Sequence, residues 1–480
     1  MLFNSFSFFL FFPIVTILYF LIPYKFRWLH LLIASCVFYC AFIPAYIFIL
    51  FFTILIDYFA GILIENAAGR KRKGLLVLSL VSNIGVLAVF KYYNFFIENV
   101  DMLLQASHLS VRPLPLLHII LPIGLSFHTF QAMSYTIEVY RGDQRPERHF
   151  GIYALYVLFY PQLVAGPIER PQNLLHQFHE RHDPDPGMIG SGLRLMAWGY
   201  FKKMVVADHL AMYVDKVFGP PIRFAGIPTL IAVLFFSFQI YCDFSAYSDI
   251  ARGAARVMGI RLMRNFNFPY FSRSIREFWG RWHISLSTWF RDYLYIPLGG
   301  SRTGMLRWCF NIMVVFLLSG IWHGANWTFV IWGALHGLYL IAGHFAGRCT
   351  DRAPVLRHLR LPGFFHTFVV FMLVTFGWIL FRSPGIVPAV EIMRNCLDIK
   401  GFDWHHPDFT SYIITKVNFA ICVAGLLAMV TIETLTFRFN AYQRFLQWNG
   451  TVRLICYILL CAVIVVVGVF NNNKFIYFQF

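Results

Sequence analysis

Apolar positions along this chain do not alternate with polar ones. They run on in blocks, at about 6–22, 28–41, 43–64, 75–97, 114–140, 150–165, 189–206, 229–245, 310–322, 327–346, 364–381, 411–434 and 452–470. Most of these blocks approach the ~17–25 residues that carry a helix across a bilayer. A helix that is apolar on every side belongs in lipid or in a protein interior. The pattern therefore predicts an all-α polytopic membrane protein of roughly eleven to thirteen hydrophobic helices, some of them re-entrant. Proline and glycine interrupt several blocks, at Pro122 and Gly124 and again at Pro161, Gly166 and Pro167. Broken helices at membrane depth are tolerated where backbone lines a cavity or packs in protein, so a central cavity is expected.

One segment departs from the pattern. From Arg252 to Arg307 there are ten arginines, no lysine, and only Glu277 and Asp292 as acids. Arginine offers a planar fork that suits phosphate and carboxylate. Two readings stay open. The segment is a cytoplasmic loop obeying the positive-inside rule, or its arginines (Arg273, Arg276 and Arg281 among them) bind a phosphate-bearing donor, a coenzyme A thioester or a pantetheinyl carrier. Within it, Ser274 to Tyr295 reads as one amphipathic helix. Trp279, His283, Ser287 and Arg291 recur every fourth residue and share a face. Trp282, Leu286, Trp289, Phe290 and Tyr293 make the apolar side, and Pro297 with Gly299 and Gly300 ends the run.

The chain is organised as one membrane domain, with N-terminal helices over 1–245, the arginine-rich segment over 246–309, histidine-bearing helices over 310–346, and C-terminal helices over 364–480. Composition agrees with that class. Of the 480 residues 58% are hydrophobic and 13% charged, against about a quarter charged in soluble domains. The net charge of +17 reads as basic cytoplasmic loops near anionic membrane lipids and not as nucleic-acid binding, because no soluble domain carries it. Basic loops follow the first, third and fifth blocks (Lys25 and Arg27; Arg70 to Lys73; Arg141, Arg145 and Arg148). Their alternation predicts a plasma-membrane protein with its N-terminus outside, its first block being a retained helix and not a cleaved signal. The nine cysteines form no CxxC pair, so neither a disulfide nor a metal site is expected.

Candidate chemistry rests on histidine. There is no GxSxG, HExxH or P-loop. The stretch from Phe310 to Gly343 lacks any Lys, Arg, Asp or Glu, yet holds His323, Asn326 and His336. An ionisable ring at that depth marks a functional site by default. His323 is either a general base for a hydroxyl or one end of an interhelical hydrogen bond. His336 falls on a nearly opposite face of a continuous helix, and so pairs with His323 only if the chain turns near Asn326. His283 meets His323 only through tertiary folding. Asp292 reads as the ion-pair partner of Arg291. Asp243 and Asp249 orient a basic group or pair with Arg252 or Arg256.

EFWGRWHISLSTWFRDYLYIPLGGSR (277–302) and LSGIWHGANWTFVIWGALHG (318–337) resemble the membrane-bound O-acyltransferase family. The likeness is to its bacterial polysaccharide-acetylating branch. LPIGLSFHTFQAMSYTIEVYRG (121–142), FYPQLVAGPIERP (159–171), QIYCDFSAYSDIARG (239–253) and FIYFQF (475–480) fit the same branch. The resemblance implies tilted helices around a funnel or tunnel. It puts the family histidine on His323 and a second polar position on His283. Beside them, Asn326 or indole N–H groups are expected to stabilise an oxyanion, and Asp292, Arg291 and His336 to support the site. It implies no permanently bound cofactor, acetyl-CoA or a pantetheinyl carrier as donor on the cytoplasmic side, a periplasmic serine-esterase-like acetyltransferase as partner, and polysaccharide export machinery beyond it. The expected activity is O-acetylation of an exported polysaccharide such as alginate. The alternatives are D-alanyl or other acyl transfer from a carrier protein, and a polysaccharide or lipid transporter without chemistry; the latter would show repeats and polar rows lining a path.

Overall fold

In the computed structural model, the structure describes residues 1–108, 113–219, 222, 224–352, 362–398, 413–470 and 475–476. Among the described residues there are helices and turns but no β-strand. Among the described residues, eight helices are long and apolar enough to cross a bilayer: Pro44–Glu65, Gly69–Ala106, Ile227–Val257, Met305–His323, Trp327–Arg348, Gly363–Arg382, Lys416–Phe439 and Gly450–Val467. Shorter apolar helices, Phe6–Leu21 among them, account for further predicted blocks. Residues 411–412 of one predicted block and 477–480 of the terminal motif lie outside the described residues.

The chain divides into two compact units. The first comprises Met1–Met196 and Ser248–Met263. It holds α1 (Phe6–Leu21), α2 (Arg27–Cys40), α3 (Ile47–Glu65), α4 (Gly69–Leu87), α5 (Tyr93–Ala106), α6 (Leu125–Arg141), α7 (Phe150–Leu158), α8 (Tyr160–Leu163) and α9 (Pro171–Leu174). A π-helical turn over 88–92 joins α4 and α5 into one span. Helices α3, α4 and α6 pack on one another around a polar knot. There the buried Asp57 carboxylate accepts hydrogen bonds from Ser79 Oγ (2.6 Å) and Asn83 Nδ2 (2.9 and 3.0 Å), and Ser79 also meets Thr136 (3.0 Å). A carboxylate inside a spanning bundle is tolerated because these donors replace water.

Three expectations need correction. The block over 114–140 becomes helical only at Leu125, because Gly124 stands at φ +78°, in the left-handed region where a helix cannot continue. The block over 150–165 is two helices, broken at Phe159, two residues before Pro161. The block over 189–206 belongs to a longer run, α10 (Pro186–Tyr200), a π-helical stretch Phe201–Ala207 and α11 (Asp208–Phe218).

The second unit comprises Ala197–Tyr247 and Arg264–Phe480. It contains most of α12 (Ile227–Val257), then α13 (Ile275–Arg281), α14 (Ile284–Phe290), α15 (Met305–His323), α16 (Trp327–Arg352), α17 (Gly363–Arg382), α18 (Ile386–Leu397), α19 (Lys416–Phe439), α20 (Ala441–Leu446) and α21 (Gly450–Val467). Helices α15 and α16 form a hairpin whose backbones nearly touch. A Cβ at Gly320 would strike the Phe329 carbonyl, and one at Gly333 would strike the Phe316 carbonyl. Small residues allow this approach, and it sets the position of the last turn of α15.

Candidate active site

The predicted single amphipathic helix over 274–295 is broken in the middle. Ser274 caps α13 by accepting the Glu277 N–H (3.1 Å). The helix ends when Trp282 N–H returns to the Phe278 carbonyl (2.7 Å). His283 then takes φ +44°, ψ +54°, a left-handed conformation uncommon for a non-glycine residue. Such strain persists where the surroundings over-determine it. Here Asn265 supplies the constraint. Its backbone carbonyl accepts Ile284 N–H (2.9 Å), and its side-chain Oδ1 accepts Ser285 N–H (3.1 Å) and Ser285 Oγ (2.9 Å) and lies 3.2 Å from His283 Nδ1. The fourfold spacing of Trp279, His283, Ser287 and Arg291 therefore does not form one helical face.

The contact with Asn265 fixes the tautomer of His283. A backbone N–H cannot donate to an amide NH2, so the Asn265 atom facing Ser285 is Oδ1. His283 Nδ1 must then carry the proton, leaving the lone pair on Nε2. The ring is fully buried, edge-on to Phe244 with centroids 4.6 Å apart. Burial pushes its pKa down to about 3, so the ring is neutral throughout the physiological range. Asn265→Leu is expected to lower turnover by about 10²-fold, the scale of loss from misplacing a reacting group by an ångström. Asn265→Asp, which keeps an acceptor at Oδ1, is expected to retain most of the activity when turnover of both variants is compared with that of the wild type.

His323 is the last residue of α15. Gly324 leaves the helix in an extended conformation, and Asn326 makes the turn into α16. Asn326 Oδ1 accepts Thr328 N–H (3.0 Å) and its Nδ2 donates to the Pro384 carbonyl (2.8 Å). Asn326 is thus a capping and tethering residue. The suspected turn brings His323 and His336 to the same indole. The Trp332 ring lies 5.1 Å from His323 and 4.9 Å from His336, centroid to centroid. His323, 4% exposed, is further walled by Trp322 (4.9 Å) and Phe381 (5.2 Å). Trp322 also stands 6.1 Å from His283, so the two leading histidines share that indole as a neighbour.

Behind this wall lies a second layer of aromatic rings. His336 is boxed by Trp279 (5.1 Å), Trp332 and Tyr339 (5.6 Å). A Cβ on Gly377 would come within 2.9 Å of its Nε2. Among the described residues neither His336 ring nitrogen has a hydrogen-bond partner, and the same holds for the buried indole N–H groups of Trp279 and Trp332. Trp378 is fixed by donating to Tyr270 Oη (3.2 Å), whose hydroxyl in turn donates to the Ser237 carbonyl. The result is a closely packed aromatic layer with few polar groups, in which charges and dipoles are weakly screened.

The remaining predicted residues divide. Arg291 and Asp292 pair at 2.7 Å and close the turn over 291–295. Arg281 is held inside the protein by Glu277 (2.8 Å), the Asn267 carbonyl (3.3 Å) and the face of Phe437 (5.2 Å). Arg273 and Arg276 are exposed. Asp249 pairs with Arg252 at 3.2 Å, as one of the two sequence alternatives had it. Asp243 instead binds Lys203 (2.7 Å) and accepts the Ile476 N–H (2.7 Å). Sequence reasoning passed over Asn265, Trp332 and Lys203. Lys203 carried a signal, a cation within an apolar block. The other two carried none beyond ordinary polar and aromatic character.

A helix hairpin closed by glycines, a break at a strained histidine and a second histidine at a helix end inside apolar walls are set among the long apolar helices of a multi-pass membrane protein. The model of the membrane-bound O-acyltransferase family matches residues 148–382. A probable alginate O-acetylase of Azotobacter vinelandii is 38% identical over 90% of this chain and 84% of its own length. A peptidoglycan O-acetyltransferase of Helicobacter pylori is 31% identical over 94% of this chain and 91% of its own length. A teichoic acid D-alanyltransferase of Streptococcus thermophilus is 30% identical over 46% of this chain and 56% of its own length. The chain belongs to the membrane-bound O-acyltransferase family, and it is a membrane O-acyltransferase.

Proposed function

We propose that this enzyme moves an acetyl group from acetyl-CoA, taken from the cytoplasm, toward an exported polysaccharide, with His323 as general base. The observation that carries the assignment is His323 at the C-terminal end of α15, walled by Trp322, Trp332 and Phe381. The last-turn carbonyls of a helix bear partial negative charge, which stabilises positive charge developing on the ring. His323 takes the proton of an acceptor hydroxyl as its oxygen attacks the thioester carbonyl. A C–O bond forms, the C–S bond breaks, and the sulfur leaves as thiol with the proton that His323 returns. His283, neutral and fixed by Asn265, positions the acceptor through Nε2.

The acetylating relatives, similar over nine-tenths of the chain, favour acetyl over D-alanyl as the group moved. The protein sits in the bacterial inner membrane with its N-terminus outside, the orientation that the basic loops after the first, third and fifth apolar blocks favour. A periplasmic serine-esterase-like partner and the polysaccharide export machinery complete delivery in this reading. Vesicles containing the purified protein test the reading. Radiolabelled acetyl-CoA added on the cytoplasmic face is expected to label an acceptor supplied on the other face. Labelling only from a D-alanylated carrier protein would replace this reading with D-alanylation.

A further inference from the structure

Helix α21 in the second unit is covered by little of the protein. Among its described side chains only Ile464 is buried. A turn over 440–449, which contains the short helix α20, joins it to α19. Both α19 and α21 are long and apolar enough to cross a bilayer. The turn between them therefore lies where hydrocarbon gives way to headgroups.

The charge at this turn has one sign. Arg438 lies in the last turn of α19, Arg444 in α20 and Arg453 in the first turn of α21. From Thr434 to Phe480 the sequence holds no Asp or Glu. Among the described residues none of these three arginines has an ion pair. Arg438 and Arg444 are exposed. Arg453 is half-buried, and its Nη1 donates to the Leu446 carbonyl (3.0 Å), which fixes the guanidinium against the end of α20. Planar guanidinium forks without acid partners, at the edge of hydrocarbon, match a phosphate better than any other group found at that depth. Aromatic rings mark the same depth independently. Phe445 packs on Trp448 (5.5 Å) and Tyr457 (5.6 Å), and Trp448 is 52% exposed. Indole and phenol rings settle at headgroup level.

We propose that the turn between α19 and α21 binds an anionic phospholipid, with the headgroup phosphate on Arg444 and Arg453 and the acyl chains along the open face of α21. Arg438 adds to the attraction. A soluble anion would use the arginines alone, whereas the uncovered apolar helix beside them selects a lipid. The consequence reaches into the unit. A Cβ on Gly425 of α19 would lie 3.3 Å from the Val205 carbonyl, and Val469 N–H, just beyond α21, donates to the Met204 carbonyl (3.0 Å). Both contacts fall on the Phe201–Ala207 stretch that carries Lys203. A lipid that braces the turn thereby braces this stretch.

The test uses the full-length protein, stripped of lipid in a non-ionic detergent. Binding of phosphatidylglycerol and of phosphatidylcholine is measured by native mass spectrometry, and the unfolding temperature is recorded with each. Phosphatidylglycerol is expected to bind at least about tenfold more tightly and to raise the unfolding temperature. An arginine near an anionic headgroup is worth about fivefold in affinity. Arg444→Gln combined with Arg453→Gln is therefore expected to weaken phosphatidylglycerol about 25-fold, to abolish its stabilising effect and to leave phosphatidylcholine unchanged. Arg444→Gln alone, at an exposed position, is expected to cost about fivefold, and it keeps the test readable if the double variant folds poorly. Arg348→Gln removes an exposed arginine at the end of another spanning helix. It is expected to leave phosphatidylglycerol binding unchanged. Equal binding of the two lipids by the wild type, or wild-type affinity in the double variant, overturns the proposal. A loss for Arg348→Gln as large as for Arg444→Gln overturns it as well, since the attraction would then be spread over the whole surface. Inorganic phosphate that stabilises the protein as well as phosphatidylglycerol does would replace the lipid by a free anion.

Discussion

Replacing His323 by alanine is expected to lower acyl transfer by about 10³-fold while the protein still inserts and purifies as a single species. A positioned general base contributes ~10²–10⁴ in rate, and about 4 kcal/mol of barrier corresponds to the middle of that range. No second ring is placed to substitute. His336 lies beyond Trp332, and burial makes His283 a weak base, its pKa pushed down to about 3. The loss should fall on kcat, because the imidazole acts on the proton in flight and not on donor binding. His323→Gln, which fills the same space among Trp322, Trp332 and Phe381, controls for the void that alanine leaves. A loss of less than about tenfold for both variants, measured at equal amounts of folded protein in vesicles, would remove His323 from the mechanism.

Lys203→Met is expected to be the most damaging substitution away from the histidines. The Lys203 ammonium sits between Asp208 (2.9 Å) and Asp243 (2.7 Å), and all three side chains are about nine-tenths or more buried. Removing the cation leaves two carboxylates facing each other without water. Breaking a buried pair in this way costs ~3–5 kcal/mol, here with two acids losing their shared cation by one change. The apparent unfolding temperature in detergent should fall by several degrees, and the yield of inserted protein with it. Adding Asp243→Asn to Lys203→Met should recover part of the loss, since one stranded charge is removed. The recovery is partial because Asp243 Oδ2 also holds the Ile476 N–H. An unchanged unfolding temperature for the single variant would contradict this account of the triad.

The fold class was legible in the blocks of apolar residues, because lipid imposes length and apolarity on each spanning helix. The turn between His323 and His336 was legible too. Gly324 and Asn326 in the middle of an apolar run are residues that end one helix and cap the next. The break at His283 was not. Local spacing there matches a helix at every fourth residue, and the competing structure depends on Asn265, eighteen residues upstream, whose hydrogen bonds outweigh local propensity. The wall of Trp322, Trp332 and Phe381 was equally hidden, since tryptophans in a membrane protein look alike until tertiary packing aims them. Lys203 was legible in principle. Its apolar neighbours drew it into a predicted span, whereas a cation there called for a named acidic partner.

Chemical rescue of His323→Ala by imidazole tests the central claim most directly. The variant removes the ring and leaves space of its shape between Trp322, Trp332 and Phe381. Single-turnover transfer from acetyl-CoA would be followed as imidazole, and then more basic methylimidazoles, are added. The account predicts a rate that rises from near zero with imidazole concentration and increases with the basicity of the added ring, as proton removal in the rate-limiting step requires. A variant that transfers acetyl at the wild-type rate, indifferent to imidazole, would show that His323 is not the base.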